Sequence, residues 1–264
     1  MSALTKNNLP LIIGHRGASA FAPENTIAAF NLAIESGAEG IEFDVRLSRD
    51  QIPVIIHDDT LLRTAGLPNR VSDLSLKDLS HVDVGAWFKT RAQGTDFSGE
   101  KIPTLETLLR WAESNGTHLY LEMKSEAAQR HELAKAVSTL LTHFDPDRVV
   151  VESFDLEALK IMKNLAPIVR TAALFEPSLT TPPRFRTGQL LERADEAGAA
   201  EIALHRRLVN KRIVELAHVR GYEVVVWTVD DPKWIDRARL LKVLALITNN
   251  PRLLVVQRNR VVDG

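Results

Sequence analysis

Short apolar runs alternate along the chain with longer segments that carry apolar residues on one face. The runs have the length and β-branched content of buried strands, and the longer segments repeat their apolar positions with a helical period. This alternation, repeated about eight times, predicts an α/β fold in which helices cover a parallel sheet. The predicted strands are Leu11–Gly14, Gly40–Leu47, Val54–His57, His118–Lys124, Arg148–Phe154, Ile168–Leu174, Glu201–Leu204, Tyr222–Val229 and Ala245–Thr248.

The predicted helices lie between these strands without a break that would divide the chain. No shift in composition and no long polar linker separates the 264 residues into two parts. The length and the number of repeats fit one (β/α)8 TIM barrel better than two domains, so we expect a single domain over residues 1–264. The predicted helices are Thr26–Ser36, Leu105–Ser114, Ala127–Leu141, Leu156–Asn164, Thr187–Ala197, Asn210–Arg220 and Asp231–Arg239.

Residues 58–103 interrupt the alternation. They are rich in Gly, Pro, Ser and Asp, and a helical pattern is confined to the region of Leu74–Leu79. A stretch of about 45 residues without regular elements is too long for a plain connection. It follows the second strand region, at the barrel face where active sites are built. We therefore expect a small cap insertion. The alternative is a solvated surface excursion, but the aromatic residues Trp87, Phe88 and Phe97 favour the cap.

The composition excludes several classes of function. The chain is 45% hydrophobic and 25% charged, with a net charge of −1, which offers no electrostatic basis for binding nucleic acid. The absence of cysteine excludes disulfides, thiolate metal sites and cysteine nucleophiles. No apolar window approaches the ~18 residues of a membrane span, and the first apolar stretch is shorter than that of a signal peptide. We expect a cytoplasmic protein without a membrane span.

Acidic side chains gather at the ends of two neighbouring predicted strands. Glu42 and Asp44 are two residues apart, so both point to one face of their strand while the apolar residues around them face the helices. Glu122, on the next strand of the barrel, adds a third carboxylate. Three carboxylates form a hard oxygen-ligand set that suits Mg²⁺, Ca²⁺ or Mn²⁺. The alternative is a metal-free ion-pair network with Arg16, Arg46 and Lys124.

Two histidines lie close to this acidic group in the predicted barrel. His15 lies between two glycines at the end of the first strand, and His57 ends a strand before two aspartates. Histidine titrates near neutral pH, so one histidine can take the proton of an attacking oxygen while the other protonates a leaving alkoxide. We interpret five others as structural: His81, His118, His131, His143 and His218.

Fixed positive charge accompanies these groups. Arg16 offers a planar fork that matches phosphate oxygens, and Lys124 follows Glu122 on the same strand face. A cationic site beside one metal ion indicates a phosphate ester as substrate. Trp227, near the end of a later strand, is expected to form an apolar wall for the rest of the substrate, with packing inside the barrel as the alternative.

The loop after the first strand contributes further candidates. Gly14 and Gly17 are expected to permit a tight turn at the barrel rim. Asn25 or Thr26 is expected to cap the first helix. Glu24 either orients a catalytic group or favours the helix N-terminus.

The chain contains no G-x-S-x-G, P-loop, G-x-G-x-x-G or H-E-x-x-H motif. It contains instead an ordered series that spans about residues 11–256: GHRG at 14–17, PENT at 23–26, GIEFDV at 40–45, VIIHDD at 54–59, VSDLSLKDL at 71–79, DVGAWF at 83–88, IPTLETLL at 102–109, YLEMK at 120–124, ESFD at 152–155 and VWTVD at 226–230. In this series the chain resembles the glycerophosphodiester phosphodiesterases, and the combination of HRG, E-x-D and HD makes the resemblance highly specific.

The resemblance implies a TIM barrel with a small insertion after the second strand region. It implies hydrolysis of a small-molecule glycerophosphodiester to sn-glycerol 3-phosphate and an alcohol. Mg²⁺ is the expected cation, with Ca²⁺ or Mn²⁺ as alternatives. The family's roles fall on these residues: the cation on Glu42, Asp44 and Glu122, general acid and base catalysis on His15 and His57, and the phosphate on Arg16 and Lys124.

Three positions depart from the pattern of many family members. Asp230 stands where Asn is common after W-T-V, and Asn249 stands where an I-T-D stretch would place Asp. Glu152 stands where a small residue or Gln is common, and it adds a carboxylate near the metal. Since the metal and histidine positions are all kept, these departures bear on substrate preference rather than on the reaction.

Two other functions stay open. A lysophospholipase D-like phosphodiesterase would act on substrates with one acyl chain and would need a hydrophobic groove in the cap. A catalytically inactive barrel that binds phosphate esters would have lost a histidine or a metal-binding acid, and this chain keeps all of them. The sequence leaves open the preferred alcohol, the division of roles between the histidines, and whether the chain forms a homodimer.

Overall fold

The computed structural model describes residues 9–90, 95–177 and 183–263. Within these ranges, eight parallel strands form a closed barrel with helices between them, which confirms the (β/α)8 prediction. The strands are β1 (Leu11–His15), β2 (Gly40–Leu47), β3 (Pro53–Ile55), β4 (His118–Met123), β5 (Val149–Ser153), β6 (Arg170–Phe175), β7 (Glu201–His205), β8 (Glu223–Trp227) and β9 (Ala245–Thr248). Strand β1 pairs with both β2 and β9, which closes the ring. Strand β3 pairs antiparallel with β2 and is the one strand outside the parallel ring of the described residues.

Helices follow the strands around the outside of the barrel. In the described ranges the α-helices are α1 (Ile27–Glu35), α2 (Leu62–Ala65), α3 (Leu76–Leu79), α4 (Leu105–Asn115), α5 (Arg130–Leu141), α6 (Leu156–Leu165), α7 (Pro183–Glu196), α8 (Lys211–Val219), α9 (Trp234–Leu241) and α10 (Pro251–Asp263). Thr26 is the cap of α1, since its side chain accepts a hydrogen bond from the Ala29 N–H. In these ranges we find no helix whose length and apolar character would suit a membrane crossing.

The sequence pattern places most elements correctly and misplaces some of their ends. The predicted strand Val54–His57 ends already at Ile55, and the predicted helix from Ala127 begins at Arg130. The C-terminal helix α10 was not among the predicted helices. It contacts β1, and Arg258 on this helix pairs with Glu39 at 2.6 Å. These differences lie at element ends and at the C-terminus, where tertiary contacts decide.

Alternation along the strands separates two apolar clusters. Ile41, Phe43 and Val45 face outward and belong to the large cluster between the strands and the helices. A smaller cluster fills the barrel interior, with Ile13, Tyr120, Val150, Ala172, Ala203 and Val225 among its members. Because Glu42 and Asp44 alternate with the outward-facing residues, they point into the barrel above this inner cluster. The polar groups therefore collect at one end of the interior.

The segment between β3 and α4 has an apolar cluster of its own. It contains α2, α3 and two short 3₁₀ turns at Val71–Asp73 and Ala86–Thr90. Its buried apolar residues include Leu61, Val71 and Leu79. The Phe88 ring packs edge-to-face against Trp87 and Phe97, with centroids 5.5 and 5.9 Å away. Packing of this kind stabilises a defined structure between the barrel strands.

Candidate active site

The carboxyl-terminal ends of the barrel strands surround an open cavity of about 350 Å³. Asp44, one of the sequence-predicted residues, is fully buried beside this cavity and within 3.3 Å of Lys124. Folding therefore brings all of the predicted site residues into one place. The other predicted residues line the cavity itself: His15, Arg16, Glu42, His57, Glu122, Lys124 and Trp227.

Glu42, Asp44 and Glu122 form a compact acidic group. Each offers one carboxylate oxygen, and these three oxygens lie within 4.8 Å of one another. The strand register explains the convergence, because Asp44 pairs with Glu122 and Glu42 pairs with His15. All three side chains are buried, with 3%, 0% and 7% exposure in chain order. This donor set has the chemistry and the spacing that a hard divalent cation requires.

Two cations balance part of the acidic charge. Lys124 Nζ lies 2.8 Å from Glu122 Oε1 and 3.3 Å from Asp44 Oδ1. Arg16 Nε lies 3.1 Å from Asp44 Oδ2. The ion-pair network that the sequence offered as an alternative is therefore present beside the acidic group. The two interpretations do not exclude each other, because cations within reach of the acids can neutralise them when a metal ion is absent.

The unequal contacts separate the pKa values of the three carboxyl groups. Burial and the Asp44 carboxylate raise the pKa of Glu42 well above its usual value and raise the pKa of Glu122 to about 7. Burial also opposes ionisation of Asp44, but Arg16 and Lys124 outweigh it and hold the pKa of Asp44 far below its usual value. Asp44 is therefore the permanent anion of the group.

His15 ends β1 with one of its ring nitrogens already engaged. Its Nδ1 lies 2.6 Å from Asn249 Oδ1, and the Asn249 amide donates from Nδ2 to Asp230 at 2.7 Å. Because Asp230 can only accept, it orients the amide so that its oxygen faces His15, and His15 donates from Nδ1. Burial and the neighbouring Arg16 lower the pKa of His15 to about 4.

The two rim departures seen in the sequence, Asp230 and Asn249, are hydrogen-bonded partners. The Asp230 carboxylate accepts from the Asn249 side chain and from its backbone N–H at 2.9 Å. The pair therefore keeps one acid and one amide, but their positions are exchanged relative to the common pattern of Asn after W-T-V and Asp after I-T. In this chain the amide faces His15 and the acid lies behind it.

His57 follows β3 and shows the same arrangement as His15. Its Nδ1 lies 2.6 Å from Asp58 Oδ1, and Arg63 Nε donates to the other Asp58 oxygen at 2.7 Å. Arg46, which the sequence suggested as a partner of the acids, donates instead to the His57 backbone carbonyl at 2.8 Å. Burial lowers the pKa of His57, and the Asp44 carboxylate opposes that shift. In the described part of the chain, Nε2 of both histidines has no hydrogen-bond partner, and His15 Nε2 lies 3.8 Å from Glu42 Oε2.

Glu24 orients Arg16, which is one of the two roles that the sequence left open. Arg16 donates to Glu24 Oε1 at 2.9 Å, and Arg63 donates to both Glu24 oxygens at 2.7 Å. The Arg16 backbone is left-handed, with a φ of 54°, and its N–H donates to Glu42 Oε2 at 3.0 Å. The loop after β1 therefore holds Arg16 by its side chain and by its main chain.

Asn25 is a site residue whose role the sequence did not reveal. It is 4% exposed and bonds Asp44 through its side-chain amide. Its backbone φ of 60° is one that Asn tolerates better than most residues. From the sequence, Asn25 could be interpreted only as a possible cap of the first helix. Its contact with Asp44 could not be predicted, because Asp44 lies on a separate element, β2.

Aromatic rings form another wall of the cavity. Trp227 packs edge-to-face against Phe154 and His205, with ring centroids 5.5 and 5.2 Å away. Its Nε1 donates to the Ala203 carbonyl at 3.1 Å, so Trp227 is both packed in the barrel and exposed to the cavity. Phe154 and His205 were missed by sequence reasoning. Phe154 lies two residues after Glu152, and His205 lies two residues after Ala203. Strand alternation could therefore have indicated that both side chains are on the cavity side of their strands.

Glu152 also lines the cavity. It lies on β5 in register with Glu122 and is 1% exposed. Burial, followed by the nearby carboxyl groups of Glu42 and Glu122, raises the pKa of Glu152 well above its usual value. The structure thus places a fourth buried carboxyl group beside the acidic group.

The chain is similar to known proteins along nearly its whole length. Residues 15–253 match the family model described as the glycerophosphoryl diester phosphodiesterase family. A glycerophosphodiester phosphodiesterase of Caldanaerobacter subterraneus is 31% identical, over 93% of this chain and 96% of that protein. An Oleispira antarctica phosphodiesterase, solved in complex with the product sn-glycerol-3-phosphate, has a TM-score of 0.83 at 29% identity, covering 97% and 98% of the two chains. The glycerophosphodiester phosphodiesterase of Thermotoga maritima has a TM-score of 0.74 at 26% identity, covering 94% and 98%.

Proposed function

The chain belongs to the glycerophosphoryl diester phosphodiesterase family, and we propose that it cleaves glycerophosphodiesters to sn-glycerol 3-phosphate and an alcohol with a divalent cation and two histidines. The observation that carries this proposal is the convergence of two histidines, two cations and three carboxylates on one cavity. Such a set is suited to phosphoryl transfer, where positioning and electrostatic stabilisation supply most of the catalysis.

We place the cation on Glu42, Asp44 and Glu122. Three carboxylate oxygens within 4.8 Å of one another fit a hard divalent ion, and the chain has no thiolate that would favour a softer one. Mg²⁺ is the ion we expect, with Ca²⁺ and Mn²⁺ as alternatives. When bound, the cation supplies Lewis acidity toward the phosphoryl group and its attacking oxygen.

Arg16 and Lys124 bind the phosphate in this proposal. Both side chains line the cavity, and the anchoring of Arg16 by Glu24 and Asp44 fixes its guanidinium before substrate arrives. Preorganised positive charge stabilises the charge that develops on the phosphoryl oxygens without a cost of reorganisation. Trp227 contributes the apolar wall beside the rest of the substrate.

His15 and His57 move the protons. In each ring Nδ1 is bonded to an oxygen acceptor, so Nε2 is the atom that exchanges a proton with the substrate. One histidine takes the proton of the attacking oxygen, and the other gives a proton to the oxygen of the departing alcohol. The Asn249 and Asp58 contacts hold the ring orientation throughout the exchange.

The described residues of 58–103 form the cap in this proposal, and residues 91–94 of that predicted segment lie outside the described residues. Arg63, at the start of the segment, joins the segment to the cavity through Glu24 and Asp58. Its guanidinium also lies 5.9 Å from the centre of the Trp87 ring, which ties the contact to the apolar packing of the segment. The segment therefore contacts His57 directly through Asp58 and is linked to Arg16 through Glu24.

The proposal is tested with purified protein and a panel of glycerophosphodiesters that differ in the alcohol, each with Mg²⁺, Ca²⁺ or Mn²⁺. We expect release of sn-glycerol 3-phosphate, and Asp44→Asn should abolish it because the permanent anion is lost. Release of the phosphorylated alcohol together with free glycerol would overturn the proposal. A preference for lysophosphatidylcholine over glycerophosphocholine would instead support the lysophospholipase D-like alternative.

A further inference from the structure

Glu152 is a buried cavity residue that the proposed mechanism does not use. The side chain lines the active-site cavity on the β5 wall while the residue as a whole is 1% exposed. Its Oε2 atom is buried and has no hydrogen-bond partner among the described residues. A buried polar atom without a partner costs free energy, so a group that satisfies it on binding gains that free energy back.

The position of Glu152 relates it to the acidic group without making it a member. It is in register with Glu122 on one side and with Ala172 on the other. The group of mutually close carboxylate oxygens found among the described residues comprises Glu42, Asp44 and Glu122, and it does not include Glu152. Glu152 therefore adjoins the metal-binding acids along the barrel wall.

We infer that Glu152 binds the terminal hydroxyl of the substrate's glycerol moiety, the hydroxyl farther from the phosphate. This inference rests on the proposed function of the cavity. A hydroxyl both donates and accepts, so it pairs with a carboxyl group in either protonation state. The ionised phosphate oxygens are matched instead by the positive charges of Arg16 and Lys124, which line the same cavity. Glu152 is therefore matched to the hydroxylated part of the substrate.

Depth in the cavity favours glycerol over the alcohol at this position. The inner part of the cavity is lined by Glu152 and Ile247, which are both 1% exposed. The outer part is lined by Phe154, which is 37% exposed, and by the exposed Glu176. The glycerol moiety is the part that all glycerophosphodiesters share, and a fixed buried group can select only a part that does not vary. The variable alcohol then lies toward the exposed aromatic side of the cavity.

The hydroxyl next to the phosphate and the terminal hydroxyl have different surroundings in this arrangement. With the phosphate beside Arg16 and Lys124, the adjacent hydroxyl stays close to the acidic group. The terminal hydroxyl is one carbon farther along and extends over the wall toward Glu152. A site built to hydrogen-bond a hydroxyl discriminates strongly against an analogue that lacks it. Glu152 is thus a specificity-determining residue for glycerol.

The experiment compares binding of two products by calorimetry in the presence of Mg²⁺. One is sn-glycerol 3-phosphate, and the other is the corresponding propane-1,2-diol 1-phosphate, which keeps the adjacent hydroxyl and lacks the terminal one. We expect the wild-type protein to prefer sn-glycerol 3-phosphate by roughly 10- to 100-fold. Glu152→Ala should reduce the preference to within about threefold, and Glu152→Gln should keep part of it because the amide still hydrogen-bonds.

Glu201→Gln is the matched control. Glu201 is also a buried, inward-facing carboxyl group, but it is paired with Arg170 and Tyr120 and does not line the cavity. Its substitution should leave the preference between the two products unchanged. Circular dichroism verifies that each variant is folded, and the near-isosteric Glu152→Gln covers the case in which Glu152→Ala does not fold.

Two results with the Glu152 variants would overturn the inference. An equal loss of affinity for both products in the Glu152 variants would assign the residue a structural role. A loss of Mg²⁺ affinity greater than about tenfold in Glu152→Gln would make the residue a metal ligand instead. The proposed function fails separately, when the wild-type protein releases no sn-glycerol 3-phosphate from any diester. A wild-type enzyme that releases it but shows no preference for the terminal hydroxyl contradicts only the role of Glu152.

Discussion

The Asn25 side chain holds both the carboxylate and the main chain of Asp44. Asn25 Nδ2 donates to Asp44 Oδ2 at 2.8 Å, and Asn25 Oδ1 accepts from the Asp44 backbone N–H at 3.3 Å. One oxygen of Asp44 is thereby oriented by an uncharged donor, in addition to its ion pair with Arg16. Loss of a partner that orients a metal-binding carboxylate typically lowers metal affinity by about 10- to 100-fold.

Asn25→Gly should weaken Mg²⁺ binding by about 10- to 100-fold, because Asp44 loses its orienting amide. Glycine keeps the left-handed backbone at this position without strain, so the fold should be retained. Asn25→Asp places a second carboxylate against Asp44 and should weaken binding at least as much. Calorimetric titration of each variant with Mg²⁺ measures the effect. Unchanged Mg²⁺ affinity in Asn25→Gly would show that the amide has no role in metal binding.

His15→Ala and His57→Ala should each lower kcat by about 10²- to 10⁴-fold, since each removes one of the two proton-transfer groups. Both residues lie at the partly exposed cavity surface, so the thermal transition should change little. His218→Ala is the control, because His218 lies on α8 and is one of the histidines interpreted as structural. Steady-state kinetics on a glycerophosphodiester measures the effect. Near-normal turnover in His15→Ala would contradict its assignment.

Removal of divalent cations should abolish activity and leave the protein folded. Arg16 and Lys124 lie within ion-pair distance of the acids and neutralise part of their charge in the metal-free state. Added Mg²⁺ should restore turnover and raise the melting temperature, since a ligand that binds only the folded state stabilises it. Full activity in protein whose metal content has been measured as negligible would exclude the role of the cation.

Asp58 should make the stability of the protein depend on pH in the acidic range. Its burial opposes ionisation, but hydrogen bonds from Arg63 and His57 outweigh that and hold the pKa of Asp58 at about 2, below its usual 3.8. The contribution to the free energy of unfolding is therefore complete above about pH 4 and is lost as the pH falls toward 2.

Because the Asp58 side chain is partly exposed, its contribution is reduced by solvent to roughly 1 kcal/mol. Urea unfolding of the wild type and Asp58→Asn at pH 5 and pH 3 measures it. The difference between the two proteins should shrink at the lower pH. A difference of the same size at both pH values would show that ionisation of Asp58 does not stabilise the fold.

Gly17→Ala should destabilise the protein by at least about 3 kcal/mol. A Cβ atom at Gly17 would lie 2.5 Å from the Ala29 backbone carbon, and the φ of +84° disfavours any side chain. Gly99→Ala is the matched control, because Gly99 has a φ of +96° but no described residue within 4 Å of the added Cβ, so its cost should stay at about 1 kcal/mol. Equal destabilisation in the two variants would show that backbone strain, and not the contact with α1, accounts for the effect.

The sequence by itself was sufficient for the barrel and for most of the residues that gather at its cavity. Strand alternation is a local property, so the inward direction of Glu42 and Asp44 could be derived from their spacing alone. The closed parallel barrel brings the carboxyl ends of its strands to one face, and this general rule was enough to predict that Glu122, His15 and Arg16 meet there.

The tertiary structure alone decided how those residues are held. Asn25 bonds Asp44, Asp230 orients Asn249 beside His15, and Glu152 lines the cavity with an oxygen that has no hydrogen-bond partner among the described residues. The first two relationships join residues on different elements. Whether a hydrogen bond forms depends on differences of a few tenths of an ångström between such residues, and no local sequence pattern specifies them. The sequence therefore determined which chemical groups collect at the barrel mouth, and the packing of the loops determined which atoms of those groups are engaged and which stay available to a substrate.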